Sequence, residues 1–94
     1  MYTDRYSELL TDTLGKLRKK DLFLFRIIRK KMDEVLNVLE TSPDHYKPLG
    51  YSMKEFRRVH IRGSFVLVFK VDAQTKTVFF EDFDHHDNIY RKYR

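Results

Sequence analysis

Cysteine is absent from the chain, which excludes a disulfide framework, a thiol nucleophile and a thiolate zinc site. A reducing compartment fits that absence. No apolar run approaches the roughly 20 residues of a membrane-spanning helix. The opening Met1-Tyr2-Thr3-Asp4-Arg5 is polar, unlike a secretory leader. Repeats, low-complexity tracts and Pro/Gly linkers are also missing. The expectation is one soluble, cytoplasmic domain over residues 1–94, without membrane association.

Hydrophobic residues make up 41% of the sequence and aromatics 15%, enough for a folded domain with a modest core. The formal net charge is +5. A domain this basic attracts polyanions, nucleic acid first and acidic protein segments second. A merely solubilising surface would carry the same charge.

The patterning changes once along the chain. Leu9, Leu10, Leu14 and Leu17 recur at helical spacing between Ser7 and Lys20. Asp21 suits the N-cap of a second helix, in which Leu24, Ile28, Met32, Val35 and Leu39 form a stripe stepping by three and four. That stripe reads as core. Ser42-Pro43-Asp44 and Pro48-Leu49-Gly50 mark a loop. Three β-rich runs follow, Glu55–Arg62, Phe65–Asp72 and Thr77–Phe83, separated by Gly63-Ser64 and Ala73-Gln74-Thr75-Lys76, as hairpins require. Tyr2 to Tyr6 offers a short additional edge strand. The expected fold is α+β: an N-terminal helical hairpin packed on one face of a small antiparallel sheet, with the other face free to carry function.

Two constellations carry chemistry. In the run Phe56-Arg57-Arg58-Val59-His60-Ile61-Arg62, strand alternation turns Val59 and Ile61 toward the helices and Arg58, His60 and Arg62 the other way together. Guanidinium groups flanking an imidazole suit an anionic ligand, since arginine grips phosphate bidentately and keeps its charge. A solvated outer face gives the same pattern. The second constellation is Asp84-His85-His86-Asp87-Asn88-Ile89-Tyr90, where carboxylates stand ready to orient two histidines just past the last strand. Imidazole suits general acid–base work near neutrality. A charged tail is the plain alternative, and a metal centre is not expected, because four consecutive such residues seldom converge on one ion.

Metal-free RNA cleavage needs a base for the 2′-OH, an acid for the 5′-oxygen, and cations for the transition-state charge. Histidines and arginines fill these roles, and an aromatic such as Tyr90 or Phe65 can stack an unpaired base. Basic residues on the helices (Lys16, Arg18, Lys19, Lys20, Arg26, Arg29, Lys30, Lys31) offer a track for phosphates or an ordinary solvated face. His45, Tyr46, Lys47 and Lys54 border the sheet.

The layout of two helices, a Pro-Leu loop, three strands and a closing His…Tyr resembles the RelE/ParE toxin superfamily. Lys54-Glu55-Phe56-Arg57-Arg58-Val59-His60-Ile61 followed by Phe65-Val66-Leu67-Val68-Phe69 is similar to its YafQ branch, as is the closing His86-Asp87-Asn88-Ile89-Tyr90. The resemblance implies a RelE-like fold and a toxin of a type II toxin–antitoxin system. It further implies an endoribonuclease that cuts mRNA on the ribosome, needs no cofactor and forms a hetero-oligomer with a cognate antitoxin. On matching positions it makes His60 and His86 the acid/base residues, Tyr90 the closing aromatic, Phe65 the strand aromatic and Arg57 the strand arginine. Lys47, Lys54, Arg58 and Arg62 complete the expected RNA-binding set. Three positions depart from the pattern. Val66 stands where RelE proteins carry arginine, Ser64 where the YafQ branch has aspartate, and Lys47, with His45 nearby, where it has a loop histidine. A one-residue shift of register would exchange His86 for His85. The same fold also serves gyrase-binding, non-enzymatic toxins of the ParE branch, and an inactive binding relative would keep it too.

Overall fold

The computed structural model describes residues 1–50 and 55–93. Along the chain run β1 (Thr3–Tyr6), α1 (Glu8–Lys20), α2 (Leu22–Thr41), β2 (Phe56–Ile61), β3 (Phe65–Asp72), β4 (Thr77–His85) and α3 (His86–Lys92). Ser7 caps α1 by accepting a hydrogen bond from the Leu10 N–H at 3.0 Å, and its hydroxyl donates to the Glu81 carbonyl at 2.5 Å. The cap therefore also ties the helix to β4. Asp21 closes α1 through its N–H to the Leu17 carbonyl, and opens α2 by accepting from the Leu24 N–H at 3.1 Å. With a single residue between them, the two helices fold back as a hairpin.

The stripe Leu24, Ile28, Met32, Val35 and Leu39 is buried as its spacing predicts, together with Leu10 and Leu14. Leu9, which shares the spacing, instead faces solvent. These helices cover one face of a four-stranded sheet of order β1-β4-β3-β2. The joint core takes Ile61, Leu67, Phe69, Val78, Phe80 and Phe83 from the strands, with Val59 packed at its margin.

The sheet departs from expectation in two ways. It is mixed, because β1 runs parallel to β4 while β2–β3 and β3–β4 are antiparallel hairpins. Local turn signals set the hairpins, but nothing local orients a strand that returns only after the helices and the β2–β3 hairpin. The second face is also not free. The segment past β4 folds into α3, and its Ile89 is buried with Leu49, Val66 and Val68. Coverage on both faces explains why Phe65–Phe69 is a continuous apolar run rather than an alternating one. A bulge in β4, where Phe80 faces Phe69 and Asp82 faces Val68, leaves Glu81 without an opposite residue. It lets Phe80 and Phe83 share the helix-side core while Asp82 meets α3.

Candidate functional site

The β2–β3 turn and the β4–α3 junction meet at one end of the sheet, where the His86 N–H donates to the Ser64 carbonyl at 2.9 Å. His85 ends β4 and caps α3, its Nδ1 accepting from the Asp87 N–H at 3.3 Å. His86 is the first residue of α3, and Tyr90, four residues on, shares its flank of the helix. His86 Nδ1 lies 2.9 Å from Asp87 Oδ1. The His85 and His86 rings are 4.5 Å apart between centroids.

His60 pairs across β2–β3 with Val66, and Val66 across β3–β4 with Asp84. His60 and Asp84 are thus two strand spacings apart, about 10 Å, with His86 just beyond. The exposed imidazole of His60 and the half-exposed one of His86 border the same end of the α3-covered face.

Arg58 shares that face, and its Nε is buried with no hydrogen-bond partner among the described residues. A buried donor left without a partner costs roughly 1–3 kcal/mol where it stands. Lys47 stands beside it, its carbonyl accepting from the Arg58 N–H at 3.2 Å. Next to the isolated antiparallel bridge between Pro48 and Arg57, Lys47 stands opposite Arg58 and so lies toward the same face. His45 instead sets its ring edge-on to Tyr46, which belongs to the helix-side core.

Other expected site residues are dispersed. Arg57 faces the helices, where its guanidinium donates to the Tyr46 carbonyl at 3.3 Å. Arg62 does not point with Arg58 and His60. It lies one residue past β2 in the left-handed region (φ 57°), followed by Gly63 (φ 75°), and its guanidinium carbon sits 5.8 Å from the Phe23 ring centroid on α2. Strand alternation ends at Ile61, and the turn that follows takes the Arg62 side chain off that face. For arginine that conformation costs roughly 1–2 kcal/mol, which glycine avoids. Phe65 also faces the helices, stacked on Phe83 at 5.2 Å and edge-on to His85 at 6.1 Å. Lys54 lies outside the described residues.

Sequence reading missed the clasp that seats α3. The Asp82 carboxylate, 1% exposed, accepts from Lys92 Nζ and the Tyr93 hydroxyl, both at 3.2 Å. Asp84 accepts from Lys92 at 3.1 Å, from Asn88 at 3.1 Å and from the His85 N–H at 2.8 Å. Burial pushes the Asp84 carboxyl upward, but the Asn88, Lys92 and His85 hydrogen bonds outweigh it and hold it below the ordinary carboxylate range. Burial likewise pulls Lys92 down, and its bonds to Asp84 and Asp82 raise it above the ordinary lysine range. Burial, then the Asp82 charge, raises Tyr93 above an ordinary phenol. The available signal was an acidic pair, two apart, on one face of the last strand. Nothing in the sequence marked Lys92 as its partner. His85, His86 and Asp87 bring ligand-type atoms within 4.8 Å of one another, and half-exposed histidines beside an exposed carboxylate form a pair of oriented imidazoles as readily as an ion site.

A helical hairpin on a four-stranded sheet of this kind has counterparts among solved structures. YafQ in the Escherichia coli DinJ–YafQ complex superposes with a TM-score of 0.72 at 21% identity, over 96% of this chain and 99% of that one. The toxin–antitoxin complex RelBE2 of Mycobacterium tuberculosis gives 0.61 at 25%, over 89% and 96%. The architecture is that of a RelE/ParE-superfamily toxin. In sequence, a candidate toxin named RelE4 from Methanocaldococcus jannaschii is 49% identical over 98% of this chain and 94% of its own length. Residues 5–90 match the family described as the ParE toxin of the type II toxin–antitoxin system parDE, and the chain belongs to that family.

Proposed function

We propose that this toxin is an endoribonuclease that cuts mRNA on the ribosome by acid–base chemistry of its own side chains. The observation that carries the reading is the placement of His60 and His86 at one end of the sheet, with Arg58, whose Nε has no hydrogen-bond partner among the described residues, on the same face. In this reading one histidine takes the 2′-OH proton and the other protonates the departing 5′-oxygen. His86 is favoured as the acid, because the Asp87 carboxylate lies beside its Nδ1. The 2′-oxygen attacks the phosphorus as the 5′-oxygen leaves, giving a 2′,3′-cyclic phosphate. Arg58 and Lys47 offset the charge of the transition state. Tyr90, 38% exposed on the flank of α3 that bears His86, orients or stacks a nucleotide.

The cognate partner is an antitoxin whose acidic or partly disordered segment covers the basic face and blocks RNA. The structures of YafQ with DinJ and of RelBE2 are both toxin–antitoxin complexes, which supports a partner of this kind. The match to the ParE family favours a second reading, a toxin that binds gyrase and performs no chemistry. Binding alone has no need of paired imidazoles.

Induced expression combined with primer extension on a reporter mRNA separates the two. Growth arrest with discrete cuts inside translated codons is the expected result. Arrest with double-strand DNA breaks and intact mRNA would transfer the toxin to the gyrase-binding class. Absence of arrest would leave a binding relative without activity.

A further inference from the structure

Phe23 is the most exposed aromatic side chain among the described residues, 67% accessible on the first turn of α2. Nothing in the fold requires an aromatic there, since the buried stripe begins at the next residue, Leu24. Its ring is nevertheless engaged by the Arg62 guanidinium at 5.8 Å. Arg62 adopts a left-handed backbone, a position where glycine or asparagine is the ordinary occupant. A non-glycine residue held in that region is the kind of local strain that collects at functional sites. Two independent oddities, an exposed phenyl and an arginine in a glycine conformation, thus meet in one contact.

That contact adjoins the candidate site. Two residues after Arg62, the Ser64 carbonyl receives the His86 N–H, and Phe65 then sets its ring against His85. The β2–β3 turn is therefore shared, with the imidazoles on one side and the Phe23–Arg62 pair on the other.

We infer that Phe23 and Arg62 form a stacking platform for an unpaired nucleobase of single-stranded RNA, at the helix-side rim of the histidine site. An open aromatic face accepts any base, and a planar guanidinium beside it supplies both stacking and charge toward the adjoining phosphate. The +5 net charge of the chain favours a polyanion over an apolar protein groove as occupant. The inference rests on RNA as the ligand but not on cleavage, so the two can fail separately.

Tryptophan is absent from the sequence, so Phe23→Trp installs a single indole at the platform. Its emission is to be followed while a short unstructured RNA is added, with binding read independently from the anisotropy of a label on the RNA. Quenching by single-stranded RNA, and little by the same sequence as a duplex, is the expected result. Phe23→Ala should weaken single-strand binding by about 5- to 100-fold with unchanged circular dichroism, and Phe23→Tyr should restore it. Arg62→Asn, which tolerates the left-handed turn, should weaken it in the same direction. Unquenched emission together with unchanged RNA affinity in Phe23→Ala overturns the platform, even if the wild-type protein cuts mRNA. Loss of antitoxin binding with full retention of RNA binding would overturn it as well, and would make Phe23 part of a protein interface. Quenching in a chain that cuts nothing leaves the platform standing and removes the proposed nuclease.

Discussion

His60 and His86 sit on different elements, and each is set by a different local device. His60 follows from simple strand alternation in β2. His86 is placed by its N–H bond to Ser64 and by the start of α3. His86→Ala should lower single-turnover cleavage of ribosome-bound mRNA by about 10²- to 10⁴-fold. Its half-exposed side chain makes no core contact, so the melting temperature should hold. A decrease of only a few-fold would withdraw its role as acid. Arg58 carries a prediction of opposite signs. Its buried Nε lacks a partner among the described residues, so Arg58→Met should leave stability unchanged or slightly raised. Cleavage should nevertheless fall by about 10²-fold, because the transition state loses a cation. Parallel losses in stability and rate would make Arg58 a structural residue.

At the scale of elements, α3 decides whether there is a site. Seven residues are too few to hold a helix in water, so its order comes from docking. Ile89 supplies the apolar anchor, and Ile89→Ala should cost about 2–5 kcal/mol by urea denaturation. The clasp adds a pH window. Asp84 titrates below its ordinary value when folded, so its contribution is complete above about pH 4 and lost as pH falls through the lower folded value. Lys92 titrates above its ordinary value, so its contribution is complete below about pH 10 and lost as pH rises beyond. Amide hydrogen exchange at Ile89, corrected for its intrinsic pH dependence, should show constant protection between those limits and weaker protection outside them. Lys92→Met should shrink the alkaline arm to the part that the Tyr93 phenol, itself raised by burial and Asp82, contributes. Protection that stays flat in that variant's parent up to pH 12 would discard the clasp.

For the molecule as a whole, charge sets both attraction and its sensitivity to salt. RNA affinity should fall linearly on a log–log plot against salt, with each lost phosphate contact in a single strand changing the slope by about 0.7. Lys47→Ala and Arg58→Met should each flatten the plot by one such increment. Substituting Arg57, whose guanidinium is turned inward to the Tyr46 carbonyl, should not. A slope unchanged by Lys47→Ala and Arg58→Met would place the phosphate track elsewhere, with the basic face of α1 and α2 the next surface to probe.

The sequence by itself determined whatever depends on near neighbours along the chain. The periods of three to four and of two, the Ser7 and Asp21 caps and the glycine-bearing turn placed both long helices and the three hairpin strands. The alternation of β2 put Val59 and Ile61 inward and His60 outward. The resemblance of short motifs reached the toxin superfamily. Tertiary structure decided what depends on distant partners. The orientation of β1 needed β4 beside it. Helix α3 needed Val66, Val68 and the Asp82–Lys92–Asp84 clasp, because a charged segment of its length has no helical preference strong enough to declare itself. Arg62 left the face assigned to it because a left-handed turn residue breaks the two-residue period, which holds only while the chain stays extended.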